Sequence, residues 1–145
     1  KFKFKLRMFF SKKENKNDNK SNLIKIAALL IHTAKIDEIY TNKEKEIIKK
    51  TLLELGALEE ELEILVTEAE QSEENANQIL DFTKEIKNLG NADKVKIIKS
   101  LWKIIYSNND ADIYETNLMR RLTGLLYIDD KIMGDIKEEI KKENS

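Results

Sequence analysis

Residues 107–126 read SNNDADIYETNLMRRLTGLL, and they place oxygen-bearing side chains at Asn108, Asn109, Asp110, Asp112 and Glu115 between two apolar-periodic runs. Residues 34–56, AKIDEIYTNKEKEIIKKTLLELG, repeat the arrangement, with Asp37 and Glu44 before a second apolar run. Sliding the chain on itself by 71 residues sets Lys25 on Lys96, Leu30 on Leu101, Ile31 on Trp102, Glu44 on Glu115, Ile47 on Leu118 and Leu55 on Leu126. Helical periodicity alone does not give that run of matches. The expectation is two related halves, each a helix, an oxygen-rich loop and a second helix, whose loops lie near each other.

Outward from these halves, apolar residues recur at spacings of three and four from Ser21 onward, the helix period, and no segment of the body alternates as a strand. The chain therefore reads as all-α, with about seven helices near residues 22–36, 41–55, 59–74, 76–89, 93–107, 112–126 and 130–142. Thr41 with Glu44, and Asp112 with Glu115, have the spacing of helix starts, where a hydroxyl or carboxylate accepts from free amides and the later acid reaches back. Gly56 suits the left-handed residue that closes the second helix.

The same oxygen atoms suit a second use. Hard cations such as Ca²⁺ or Mg²⁺ bind several oxygen ligands, and Asp37, Glu44, Asn108, Asp110, Asp112 and Glu115 are the candidates. The second loop is not an EF-hand, because Ile113 and Met119 stand where that loop needs glycine and glutamate. Capping and turn chemistry explain the same residues without an ion. Both readings stand at this level.

The spacing of the two halves is similar to that of the TerB-like helical domains of the tellurite-resistance group. The family pattern, a helix ending in Ala-x-x-Asp-Gly followed after five residues by Glu and an apolar helix, is matched by residues 34–44 and again by 105–115. Glu38 and Asn109 stand where the family has glycine, and Asn108 where it usually has aspartate. The resemblance covers about residues 22–141. It implies an all-helical domain, a link to stress or tellurite resistance, metal binding by the acidic loops, and no catalytic activity.

Composition limits the other choices. The 145 residues fit one domain, and 41% hydrophobic with 37% charged residues describe a globular chain rather than a disordered or membrane-embedded one. Without cysteine there are no disulfides, thiolate nucleophiles or cysteine metal sites. His32 is the single histidine, and it has no partner set for catalysis, so it reads as structural. Trp102 falls on an apolar stripe and reads as core. Arg120 and Arg121 read as ion-pairing with an acidic body.

The net charge of −1 conceals an asymmetry: residues 1–20 hold eight Lys or Arg against Glu14 and Asp18, while the rest of the chain is acidic. The expected division is a basic, flexible tail over 1–20 and a helical domain over 21–145, with 1–7 as an extension ahead of Met8. The phenylalanines and lysines of residues 1–10 suit an anionic membrane surface as well as a solvated tail. The glutamates of the body disfavour nucleic acid. No secretory signal is present in the sequence, so the expected location is cytoplasmic, with peripheral contact to the inner face of the membrane as an option. The functional expectation is a non-enzymatic binding module for a divalent ion or a protein partner, with a membrane-associated or co-chaperone-like adaptor as the alternative.

Overall fold

The structure is a computed structural model that describes residues 19–37, 40–76, 78–107 and 113–143. Among the described residues it holds seven α-helices and no strand. Helix α1 covers 19–34 and runs into a 3₁₀ turn, Lys35–Asp37. Then follow α2 (Asn42–Glu54), α3 (Leu62–Asn75, preceded by a 3₁₀ turn at Glu59–Glu61), α4 (Leu80–Ile86), α5 (Asn91–Tyr106), α6 (Ile113–Leu125) and α7 (Asp130–Glu143). None of the helices among the described residues is long and apolar enough to cross a membrane.

Two of the helices are central. An amphipathic surface helix buries one stripe, but in α1 six consecutive residues, 26–31, are all buried. In α5 Ile97, Ile98, Leu101, Trp102, Ile104 and Ile105 are all buried, and only lysines such as Lys99 and Lys103 reach solvent between them. A single inward stripe thus understates the burial of α1, although Lys25 and His32 on either side of this run keep partly exposed side chains.

Helices α2 and α5 run antiparallel, which three contacts along their length establish. Lys43 Nζ donates to the Ser107 carbonyl at 3.3 Å, the Thr51 and Ser100 hydroxyls meet in the middle, and Lys96 Nζ donates to the Glu54 carbonyl at 3.3 Å. Helix α7 packs along the other side of α5. Helix α3 lies on α2, and the pairs Lys49–Glu63, Lys45–Glu70 and Lys35–Glu73 bring lysines of α2 and of the turn after α1 to its glutamate row. Such exposed or half-exposed pairs contribute little individually.

The ends of the helices follow local chemistry. Thr41 has extended backbone angles, its Oγ1 accepts from the Glu44 amide at 3.5 Å, and the hydroxyl donates to Glu44 Oε1 at 3.2 Å. The Thr-x-x-Glu start is therefore used, with hydroxyl and carboxylate joined directly. At the other end Gly56 takes φ +105°, and the bonds Ala57 N to Leu52 O (2.9 Å) and Gly56 N to Leu53 O (3.1 Å) form a Schellman closure. Helix α6 closes in the same way. Ile128 N donates to Thr123 O at 3.0 Å and Tyr127 N to Gly124 O at 3.3 Å, with Tyr127 at φ 56° in the left-handed place.

Three expectations change. Helix α1 already includes residues 19 and 20, ahead of the expected helix start near residue 22. Helix α4 is shorter than the expected 76–89, because the backbone is extended at Ala76. Its core face is Ile79, Phe82, Thr83 and Ile86, whereas Leu80, which the helix period would set beside Thr83, is exposed. Residues 1–18, which hold most of the basic tail, lie outside the described residues.

Candidate functional site

The Lys43–Ser107 bond joins the first turn of α2 to the residue just after α5, so the start of α2 and the end of α5 are neighbours. Of the candidate ligands, Asn108, Asp110 and Asp112 lie outside the described residues, as do the side chains of Asp37 and Glu115.

Glu44 is described in full. It lies on the first turn of α2, is 1% exposed, and receives the Thr41 hydroxyl on Oε1. A buried carboxylate needs partners to offset desolvation, and the threonine supplies one of them. Tyr40 sits immediately before this turn. Its hydroxyl is buried without a hydrogen-bond acceptor among the described residues. Burial first, then the charges of Glu70 and Glu44, push the phenol well above its ordinary value. Glu70 and Glu44 thus both act on the Tyr40 hydroxyl, and Lys45 is held 3.4 Å from Glu70.

Among the described residues no group of three or more His, Cys, Asp or Glu side chains is placed to hold a metal ion. What the structure gives is the adjacency of the end of α5 to the start of α2 and the placement of one carboxylate, Glu44. The other residues read from sequence take structural positions. His32 is half-buried and its Nδ1 lies 3.4 Å from Glu73 Oε1. Trp102 is 2% exposed and stacks on Tyr106 with ring centroids 5.9 Å apart. Arg120 and Arg121 are exposed and make no ion pair among the described residues, contrary to expectation, because the glutamate row is on α3 and is met by lysines.

Sequence reading missed two features at the opposite end of α5. Lys94 is buried, and Tyr127 occupies a left-handed turn position while remaining 71% exposed. The 71-residue register held the signal for the second, since it places Tyr127 on Gly56. Lys94 gave none, because a lysine at the start of an amphipathic helix is ordinarily solvated.

Over residues 23–138 the sequence matches the family described as tellurite resistance protein TerB. No curated protein and no solved structure matches the chain. The matched residues begin inside α1 and end inside α7, so that the match spans all seven helices, and the chain belongs to the TerB family of tellurite resistance proteins.

Proposed function

We propose that the protein is a non-enzymatic binding module whose two oxygen-rich segments together take a hard divalent cation, Ca²⁺ or Mg²⁺. The observation that supports this reading is the bond from Lys43 to the Ser107 carbonyl, which brings the end of α5, from which the second segment departs, to the start of α2, into which the first segment leads. Ca²⁺ takes roughly six to eight oxygen ligands, more than either segment supplies in suitable spacing. Asp37 and Glu44 from the first, with Asn108, Asp110, Asp112 and Glu115 from the second, are the residues that would hold it. The ion would supply charge neutralisation where the acids converge and would tie the entry of α2 to the exit of α5. Its occupancy is then linked to stability, and through stability to any partner that reads this end of the body.

The test separates ligands from helix starts. Unfolding of wild type, Asp37→Asn, Asp110→Asn and Asp112→Ala is followed with excess chelator and again with Ca²⁺ or Mg²⁺ in excess. A bound ion raises wild-type stability by RT ln(1 + [L]/Kd), and Asp37→Asn and Asp110→Asn abolish that gain. A pure helix start at Asp112 instead costs about 1 kcal/mol in both conditions when replaced by alanine. Wild-type stability that ignores both ions removes the cation reading and leaves the acids as helix starts.

A further inference from the structure

At the far end of α5 from the loops, about 20 Å away along the helix, a cleft of about 190 Å³ opens between α5, α7 and the α6–α7 turn. Val95 and Ile98 of α5 face Ile132 and Ile136 of α7 across it. Lys94 lines the same cleft. It is one helical turn before Ile98, on the face α5 presents to α7, and only 7% of it is exposed. Among the described residues its ammonium group has neither an ion pair nor a hydrogen bond. The stem of Lys94 is buried while its ammonium group keeps access to solvent, which leaves the charge at the mouth of the cleft and open to a ligand.

The other charge lining the cleft is already committed. Asp129 Oδ1 accepts from the Lys131 amide at 2.8 Å and so caps the start of α7. The start of α5 is different, since its N-cap is Gly90 and no side chain satisfies the free amides there. Asn91, the first residue of α5, also lines the cleft. An unpartnered ammonium group and an uncapped helix start therefore meet an apolar wall, a combination that favours an anion with an apolar body. The volume is below the roughly 300–1,000 Å³ of sites for drug-sized molecules, and suits one large side chain.

We propose that this cleft is a second binding site, independent of the cation reading, for a single carboxylate carried on an apolar group of about one side chain in size. Lys94 receives the carboxylate, and Val95, Ile98, Ile132 and Ile136 cover the apolar part. A multiply charged anion is disfavoured by the apolar wall and by Asp129, and a cation by Lys94. Two sources carry the favoured chemistry, a small free carboxylic acid and the terminus of a polypeptide ending in an apolar residue.

Amide chemical shifts of the full chain are followed during titration with octanoate, octanamide, a hexapeptide ending in leucine as the free acid, and the same peptide amidated. At least one acid is expected to give saturable shifts in residues 91–98 and 127–136, while neither amide does. Octanoate alone identifies a free acid as the source, the peptide alone a chain terminus, and binding of both the shared chemistry. Lys94→Met should weaken binding by about tenfold or more, the loss expected for a charged hydrogen bond. Ile132→Asp, at a side chain 43% exposed, places a negative charge at the mouth and should weaken it likewise without burdening the fold, which keeps the test valid if Lys94→Met unfolds. Absence of shifts with both acids, equal binding of an acid and its amide, or unchanged affinity in the variants overturns the proposal.

Discussion

Gly56 and Tyr127 hold the same position in two helix closures, each in the left-handed region with the same pair of backbone hydrogen bonds, though Tyr127 carries a side chain there. A Cβ in this region crowds the neighbouring carbonyl, so glycine should be favoured over alanine at both sites. Gly56→Ala is expected to cost about 1 kcal/mol. Nothing lies within 4 Å of an added Cβ at Gly56, which leaves backbone strain as the cause. At the second site, Tyr127→Gly should exceed Tyr127→Ala in stability by about the same amount. The alanine comparison matters because Lys87 Nζ sits 5.8 Å from the Tyr127 ring centroid, and both substitutions lose that contact equally. Equal denaturation midpoints for the glycine and alanine variants would show that the strain argument is wrong.

The start of α2 rests on Thr41. Thr41→Ala should lower stability by about 1 kcal/mol, the usual value for removing a capping hydroxyl, while Thr41→Ser should retain most of it. The hydroxyl also donates to the buried Glu44, so Thr41→Ala removes a partner of that carboxylate as well as the cap. Urea denaturation of the two variants with chelator present isolates the cap from any ion.

Thr51 and Ser100 couple α2 to α5 through their buried hydroxyls, and each hydroxyl also reaches a carbonyl of its own helix, Thr51 to Ile47 and Ser100 to Lys96. Removing one leaves the other with fewer partners in a dry site, at a cost of about 1–2 kcal/mol, whereas removing both leaves no orphan across the interface. Thr51→Val with Ser100→Ala should therefore be less destabilising than the sum of the single substitutions. A double-mutant cycle that proves additive within error would mean the two hydroxyls do not communicate.

Tyr40 gives the pH dependence. Its folded-state pKa is raised, so the native chain holds the phenolic proton more tightly than the unfolded chain does. The resulting stabilisation is complete below the ordinary phenol value of about 10 and declines as pH rises above it. Tyr40→Phe should remove this alkaline loss. At neutral pH the variant should gain about 1 kcal/mol, because the hydroxyl it deletes is buried without an acceptor among the described residues. Thermal unfolding of both proteins between neutral and strongly alkaline pH provides the check; parallel curves would place Tyr40 outside the alkaline transition.

The sequence by itself determined the helical class, the order of the helices, the start of α2 at Thr41 and its closure at Gly56. Periodicity and caps are local properties of neighbouring residues, and they survive any tertiary arrangement. Tertiary packing decided how deeply each face is buried. It buried every apolar side chain along the middle of α1 and α5, set Phe82 rather than Leu80 in the core, and drew the end of α5 against the start of α2 through Lys43 and Ser107. It also laid the stem of Lys94 along the α5–α7 cleft. These outcomes depend on which distant helix covers a given face, and a residue's own neighbours in sequence carry no record of that. The family spacing was readable because it lies along the chain, whereas the one candidate ligand fully described, Glu44, became a buried carboxylate only when the rest of the body closed over it.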